Sequence, residues 1–351
     1  MTKIVFLDRK TIGPSVDLKR PQFPHEWAEY EKTAPGEVVE RARDAEIIIT
    51  NKVPIDTDCL SQLPKLRMIA VAATGYDILD VPACDSMNVA VANVRGYAVN
   101  TVPEHTLALM LALSRSIVPY RADVLDGEWQ RAGQFTFFNH PIRDLADQTL
   151  GVIGAGAIGM SVVKLARAFG MRVLISGFKG EDGVGEGDTP FDQVIRESDI
   201  ITLHLPLTPD SRDLLAAPEF AVMERKPIII NTARGGLVNE ADLAAALDAG
   251  QVRGIGFDTL TKEPPGLDNP LMQVADRPNV IITPHCAWAS DTAMQTLWDQ
   301  VITNIEAFHR EGQANVVTHD RARVKQLRLR VKSAAVDPAT RFGLNSAERT
   351  Q

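Results

Sequence analysis

Short apolar runs alternate with longer helical patterns along most of the chain. Many of the short runs are continuously apolar, which is typical of strands buried on both faces of a parallel sheet. The predicted strands are Lys3–Leu7, Glu46–Thr50, Leu66–Val71, Val89–Ala92, Thr149–Ile153, Arg172–Ile175, Ile200–Leu205, Ile228–Asn231, Gly254–Phe257 and Val280–Thr283. The predicted helices among them are Ile158–Phe169, Glu240–Ala249 and Asp291–Phe308. This alternation predicts an α/β fold built from doubly wound parallel sheets.

The spacing of these elements predicts two sheets rather than one. The first four strands end near Ala92, and a long apolar helical pattern over Thr101–Val118 follows before strands resume at Thr149. We interpret this helix as the connection between two lobes. The last helix, Asp291–Phe308, has no strand after it and could return to the first lobe.

The composition of the chain bears on which kinds of molecule the protein could bind. The 351 residues are 45% hydrophobic and 23% charged, with a formal net charge of -8, so the bulk charge favours neither nucleic acid nor an anionic membrane. Cys59, Cys84 and Cys286 form no CxxC pair, and the N-terminus carries no apolar signal segment. We therefore expect a cytoplasmic protein with free thiols, no bound metal, no nucleic-acid partner and no membrane association.

A glycine-rich turn joins one strand to one helix. Gly154-Ala155-Gly156-Ala157-Ile158-Gly159 follows the strand ending at Ile153, and a second strand follows at βαβ distance. Gly154 permits a tight turn, Gly156 lets the backbone approach a pyrophosphate, and Gly159 lets helix and strand pack closely. The free N–H groups and positive dipole of the helix N-terminus then favour phosphate. The motif in this context predicts a dinucleotide site.

The end of the second strand bears on which dinucleotide binds. An acidic residue there would hold the ribose hydroxyls of NAD, but the strand runs into Ser176 and Lys179 instead. A small polar side chain and a cation suit a 2′-phosphate, so the sequence favours NADP over NAD. The alternative is that Glu181 or Asp182 reaches the ribose, or that NAD binds with a weaker ribose contact.

Charged residues follow three later strands. Arg234 lies in NTARGG, Glu263 in GFDTLTKEPP and His285 in TPHCAWAS. Ligands of an open parallel sheet sit beyond the carboxyl ends of its strands, so these side chains should face the edge that carries the glycine turn. Arg234 suits the carboxylate and carbonyl of a 2-oxo acid, and His285 suits proton transfer to the forming alkoxide. Glu263 would fix the imidazole tautomer, and Asp258 could orient a nicotinamide carboxamide.

Taken together, these motifs resemble the D-isomer-specific 2-hydroxyacid dehydrogenase family over about residues 45 to 315. The segment Phe137–Gly154 and Trp288 look most like the glycerate dehydrogenase and hydroxypyruvate reductase branch. The resemblance implies a flavodoxin-like lobe and a Rossmann lobe with a cleft between them, and a homodimer formed through the Rossmann lobe. It implies a substrate domain of residues 1–100 plus 290–318, a NAD(P)-binding domain of 101–289, and a basic tail over 319–351.

The resemblance also implies residue roles. Arg234, Glu263 and His285 would form the catalytic set, and the backbone of Thr74 and Gly75 would bind the substrate carboxylate. The remaining implied cofactor contacts are Thr106, Ala157, Ile158, Leu205, Thr232, Ala233 and Asp258. We predict Cys286 to be a wall residue rather than a nucleophile, since hydride transfer needs none, and His105 to be structural.

The predicted function is therefore an oxidoreductase that interconverts a small 2-oxo acid and its D-2-hydroxy acid, with hydroxypyruvate or glyoxylate as the expected substrate. One alternative is a dinucleotide-sensing protein, since corepressors that resemble this family sense NAD(H). Another is a dehydrogenase for a different 2-oxo acid, and oxidation of phosphite or formate is more distant. The missing acid at Ser176 and the basic tail, with eight basic against three acidic residues from Asp320 to Gln351, both depart from the family pattern.

Overall fold

The computed structural model describes residues 1–181, 185, 187–311 and 317. Asp182, one of the residues considered for the ribose contact, and the basic tail over 319–351 lie outside these described residues. The strands are β1 (Thr2–Phe6), β2 (His25–Glu29), β3 (Ile47–Thr50), β4 (Met68–Val71), β5 (Ala90–Ala92), β6 (Thr149–Ile153), β7 (Arg172–Ile175), β8 (Ile200–Leu203), β9 (Ile228–Asn231), β10 (Gly254–Phe257) and β11 (Val280–Ile282).

Helices connect these strands. They are α1 (Val38–Ala42), α2 (Thr57–Ser61), α3 (Val81–Ser86), α4 (Thr101–Ser114), α5 (Ile117–Leu125), α6 (Glu128–Ala132), α7 (Ala157–Ala168), α8 (Phe191–Glu197), α9 (Ala217–Ala221), α10 (Glu240–Asp248) and α11 (Asp291–Glu311). No helix in the described part of the chain is long and apolar enough to span a membrane.

The chain divides into two compact units. The first unit comprises Met1–Ile12, Leu18–Val94 and the described residues from Trp298 onward, and the second comprises Gly13–Asp17 and the described residues of Arg95–Leu297. The first unit holds a parallel sheet in the order β2-β1-β3-β4-β5, which is the flavodoxin-like order. The part of α11 that belongs to this unit packs on its sheet, because the buried Trp298 lies 5.2 Å from the Phe6 ring and donates to the Lys19 carbonyl oxygen.

The second unit holds a parallel sheet in the order β11-β10-β9-β8-β6-β7. A single parallel bridge between Ser176 and Thr189 lies where the third strand of the standard Rossmann order would pair. The chain leaves β6 for β7 on one side and returns to β8 on the other, so the strand order reverses at β6. Ligands of such sheets bind beyond the carboxyl ends of the strands at this switch point. The predicted architecture of two doubly wound parallel sheets is confirmed.

Two elements differ from the predictions. Strand β2 was not predicted because His25-Glu26-Trp27-Ala28-Glu29 contains no continuous apolar run, as suits an edge strand that pairs only with β1. The predicted helix over Thr101–Val118 is two helices, α4 and α5, because Ser116 adopts a left-handed φ of 50° between them. Local hydrophobic periodicity does not reveal that break.

Candidate active site

The glycine turn is sterically required at two of its positions. Gly154 has a φ of 104°, and a Cβ built there would lie 2.4 Å from the carbonyl oxygen of His204. A Cβ on Gly159 would lie 2.0 Å from the carbonyl oxygen of Gly154. Any side chain at these positions would therefore push α7 away from the ends of β6 and β8.

Gly156 is different, because nothing lies within 4 Å of a Cβ built on it. It is the N-cap residue of α7 and has no side-chain cap, and Ala155, Gly156 and Ala157 are exposed. The first N–H groups of a helix lack intrahelical partners, and here they border open space at the switch point. The turn therefore fits the pyrophosphate of a dinucleotide, with Gly154 and Gly159 shaping it and Gly156 and Ala157 facing the ligand.

The end of β7 holds the two residues predicted to contact the ribose. The Ser176 hydroxyl donates to the Gly177 carbonyl oxygen at 2.8 Å. The Lys179 ammonium donates to the Leu214 carbonyl oxygen at 3.1 Å and pairs with Glu219 at 2.8 Å. A 2′-phosphate would therefore compete with Glu219 for this cation.

Four of the other predicted cofactor residues lie at the ends of strands or on α4. The buried hydroxyls of Thr106 and Thr232 lie 2.9 Å apart, and Thr106 also donates to the Val102 carbonyl oxygen. Leu205 and Ala233 pack against the core of the second unit. Ile158, in the first turn of α7, packs in a smaller apolar cluster with Trp288.

Arg234 projects from a turn that the Asn231 side chain holds. The Asn231 amide donates to the Arg234 carbonyl oxygen at 2.8 Å and accepts from the Ala233 N–H at 3.1 Å. The half-buried guanidinium donates to the Ala233 carbonyl oxygen at 2.7 Å, its one hydrogen bond among the described residues. A guanidinium offers five N–H donors, so most of this fork can serve a carboxylate or carbonyl.

Glu263 and His285 form a pair. Glu263 Oε2 lies 2.6 Å from His285 Nδ1, and Glu263 Oε1 accepts from the Leu260 N–H at 3.0 Å. An ionised carboxylate only accepts hydrogen bonds, so Nδ1 carries a proton and Nε2 is the nitrogen that can exchange one. His285 has a φ of 51°, and Trp288 Nε1 donates to its carbonyl oxygen at 3.0 Å. The arrangement can therefore deliver a proton from an oriented imidazole.

Asp258 lies behind this pair, and its carboxylate is buried. It accepts hydrogen bonds from the backbone N–H groups of Cys286 and Ala287, each at 2.9 Å, and from the Thr283 hydroxyl at 2.5 Å. Partial desolvation, followed by the nearby Asp258 charge, raises the pKa of the Cys286 thiol above its ordinary value. A thiol held in its protonated form is a poor nucleophile, in line with the prediction that Cys286 is a wall residue.

Thr74 and Gly75, the predicted carboxylate binders, follow β4 in the first unit. The Thr74 hydroxyl donates to the Val94 carbonyl oxygen, and the Asn93 amide donates to the Thr74 carbonyl oxygen, both at 2.8 Å. The turn after β4 is therefore tied to the end of β5 within its own unit.

Sequence reasoning missed two residues beside the catalytic pair. His105 Nε2 on α4 lies 3.0 Å from the Thr283 hydroxyl and 3.8 Å from Asp258 Oδ1. Its position in the sequence, at the start of an apolar helix, gave no reason to associate it with the TPHCAWAS motif. The contact joins residues 178 positions apart, and only the fold brings them together.

The fold and the site define a dinucleotide-binding α/β protein with an oriented acid/base pair at the sheet edge. Residues 107–287 match the sequence model of the family described as D-isomer specific 2-hydroxyacid dehydrogenase, NAD binding domain. A glycerate dehydrogenase from Methylorubrum extorquens is 49% identical over 316 residues, which cover 90% of this chain and 98% of that relative. A hydroxypyruvate reductase from Blautia hydrogenotrophica is 33% identical over 90% of this chain and 99% of the relative.

Comparison with solved structures gives the same class of protein. The chain is similar to an NADPH-dependent glyoxylate/hydroxypyruvate reductase from Sinorhizobium meliloti, with a TM-score of 0.77 and 25% identity over 91% of this chain and 98% of the other. The protein belongs to the D-isomer-specific 2-hydroxyacid dehydrogenase family, as its motifs led us to expect.

Proposed function

We propose that this protein is an NAD(P)-dependent oxidoreductase that interconverts a small 2-oxo acid and its D-2-hydroxy acid. The observation that carries the proposal is the 2.6 Å pair of Glu263 and His285 on the sheet edge that holds the glycine turn. When bound, the dinucleotide supplies or accepts the hydride. His285 gives its proton to the forming alkoxide in reduction and takes it back in oxidation, while Glu263 stabilises the charged imidazole.

Arg234 binds the substrate in this proposal. Its guanidinium fork engages the carboxylate and polarises the adjacent carbonyl, so it lowers the barrier as well as aiding binding. We also propose that the N–H groups of Thr74 and Gly75 bind a substrate carboxylate, and on that ground we assign residues 1–100 plus 290–318 to a substrate domain. The NAD(P)-binding domain is then 101–289, and the family match over residues 107–287 supports this assignment.

For the substrate we propose hydroxypyruvate or glyoxylate. The support is the naming of the relatives, which include a glycerate dehydrogenase, a hydroxypyruvate reductase and several glyoxylate reductases. A dinucleotide-sensing role is not favoured, because these relatives are named enzymes and the site retains an acid/base pair.

For the cofactor we propose that NADP is used in preference to NAD. Among the described residues, the stretch from Ser176 to Lys179 at the end of β7 contains no carboxylate for the ribose hydroxyls, and one structural relative is NADPH-dependent. The Glu219 partner of Lys179 opposes this preference, so we expect it to be moderate.

We also propose a cytoplasmic homodimer. An apolar surface patch on the second unit supports the dimer: Phe135 and Phe138 are 89% and 82% exposed, and the exposed Val124 and Trp129 lie beside them. Patches of this kind mark interaction surfaces. Light scattering should give a dimer for the native chain and a monomer for Phe138→Glu, and a native monomer would contradict the proposal. The free cysteines agree with a reducing compartment.

The decisive experiment is a kcat/KM panel over glyoxylate, hydroxypyruvate, pyruvate and bulkier 2-oxo acids with NADH and NADPH, with chiral analysis of the product. His285→Gln should lower kcat by about 10²- to 10⁴-fold while the dissociation constant of the dinucleotide stays within about twofold. Tight dinucleotide binding without turnover of any acid would point to sensing instead.

A further inference from the structure

A second hydrogen-bonded cluster lies behind the catalytic pair. It consists of His105, Thr283 and Asp258, and we call it the brace. His105 Nε2 lies 3.0 Å from the Thr283 hydroxyl, which in turn lies 2.5 Å from Asp258 Oδ1. The three residues come from α4, from the position after β11 and from the position after β10. The brace therefore links three elements of the second unit at the sheet edge.

The donors and acceptors of the brace fit only one arrangement. The ionised Asp258 carboxylate accepts, so the Thr283 hydroxyl donates its proton to Oδ1. The oxygen of that hydroxyl is then an acceptor for His105, which must carry its proton on Nε2. The Thr283 hydroxyl thus joins an imidazole to a buried carboxylate.

His105, Asp258 and Cys286 also bring possible metal-ligand atoms within 4.8 Å of one another. Oδ1 of Asp258 already accepts from the Thr283 hydroxyl and from the Cys286 N–H. The hydrogen bonds thus account for the closeness of these atoms, and they favour a positioning role for the cluster over a metal site.

The brace acts on the segment that carries His285. Asp258 binds the N–H groups of Cys286 and Ala287 through its carboxylate, and its carbonyl oxygen accepts from the His285 N–H at 2.9 Å. His285 itself adopts a φ of 51°, a left-handed conformation that a side chain with a Cβ disfavours. Such conformations persist where the surroundings impose them, and they concentrate at functional sites.

We propose that His105 and Thr283, acting through Asp258, are positioning residues that hold His285 in its left-handed conformation and so aim Nε2 at the substrate. The proposal rests on the acid/base role assigned to His285 under the proposed function. Glu263 fixes the imidazole from its side chain, and the brace fixes it from the backbone.

The test replaces the Thr283 hydroxyl by a methyl group of similar size, so that the side-chain shape is kept and the hydrogen bonds are lost. Thr283→Val should lower kcat by about 10- to 100-fold, because a displacement of about 1 Å at a reacting group has that effect. The Michaelis constant of the dinucleotide should stay within about twofold. The solvent deuterium isotope effect on kcat and the pH profile of kcat should both change, since the proton-transfer step is the one disturbed. Thr283→Ser should restore most of the activity.

Thr259 offers a matched control. It is a buried threonine next to Asp258, and its hydroxyl has no hydrogen-bond partner among the residues that the structure describes. Thr259→Val should therefore keep native kcat, isotope effect and pH profile. If Thr283→Val loses activity only in proportion to a loss of folded protein, with isotope effect and pH profile unchanged, the brace is merely structural and the proposal is overturned.

His105 gives a second test. If His105 and Thr283 act through one hydrogen bond, the double variant His105→Leu/Thr283→Val should be no more impaired than Thr283→Val alone. Additive losses would overturn the linkage. His285→Gln distinguishes a failure of the proposed function from a failure of the brace. Near-native turnover in that variant refutes the proposed function. An inactive His285→Gln together with a fully active Thr283→Val refutes only the positioning role of the brace.

Discussion

Alanine substitutions at Gly156 and Gly159 should affect different properties, dinucleotide affinity at Gly156 and folding stability at Gly159. A Cβ on Gly159 would lie 2.0 Å from a backbone oxygen, and real Cβ atoms stay beyond 3.0 Å, so α7 must move about 1 Å from the turn. Overpacking of this kind costs about 1–3 kcal/mol. For a unit of this size each kcal/mol lowers the midpoint of thermal unfolding by about 2–4 °C, so Gly159→Ala should lower it by about 2–12 °C.

Gly156→Ala should have the opposite profile. Its backbone has a φ of -74°, which alanine adopts readily, and nothing lies within 4 Å of the new methyl group. Thermal stability should change by less than about 2 °C. The methyl group would stand between the backbone and a phosphate, and the loss of one hydrogen bond to a charged group, about 1.5–3 kcal/mol, raises the dissociation constant of NADPH roughly 10- to 100-fold.

Differential scanning fluorimetry and fluorescence titration with NADPH and NADH measure both effects. Gly36→Ala is the matched control, since it also adds a methyl group to open space, but in the first unit. It should leave stability and binding unchanged. Native dinucleotide affinity in Gly156→Ala would refute the assignment of this turn to the pyrophosphate.

Three further predictions concern Lys179, Arg234 and His204. Glu219→Gln keeps a side-chain oxygen for the cap of α9 but removes the charge that pairs with Lys179. The ratio of kcat/KM for NADPH to kcat/KM for NADH should therefore rise by up to about fivefold. A constant ratio would exclude Lys179 from the 2′-phosphate site. Arg234→Lys retains charge without the fork, so steady-state kinetics should show a higher KM for the 2-oxo acid and a lower kcat, and an unchanged kcat would contradict the role in carbonyl polarisation. Burial lowers the pKa of His204 from 6.5 to about 4. Below pH 6.5 this imidazole therefore becomes protonated in the unfolded chain while it stays neutral in the folded chain. Stability is therefore lost as the pH falls from 6.5 towards 4, by about 2 kcal/mol at pH 5, and thermal unfolding of His204→Gln should lack that part of the pH dependence.

The sequence was sufficient for the buried strands because their apolar runs report burial directly. Strands β6, β7, β9 and β10 begin and end at the predicted residues, and the predicted helix at Ile158–Phe169 lies within one residue of α7. Strand β2 and the break at Ser116 were not predicted, since an edge strand lacks such a run and a single left-handed residue leaves no periodic signal.

The candidate site was predictable to the extent that it depends on strand ends. Arg234 and His285 each follow a strand closely, and the motif order identified them without coordinates. The pairing of Glu263 with His285 is present as expected, at 2.6 Å. The brace was not predictable, because His105 reaches Thr283 from another helix and its sequence neighbours give no sign of that contact.

Strand register explains why residues so far apart in sequence share one edge. Phe257 of β10 is level with Asn231 of β9 and with Ile282 of β11, so the next residues, Thr232, Asp258 and Thr283, leave the sheet together. Arg234 and His285 each lie three residues beyond their strand. A slip of one residue in either pairing would turn these side chains to the other face. The continuously buried strands that made the fold predictable therefore also fix the register on which the proposed chemistry depends.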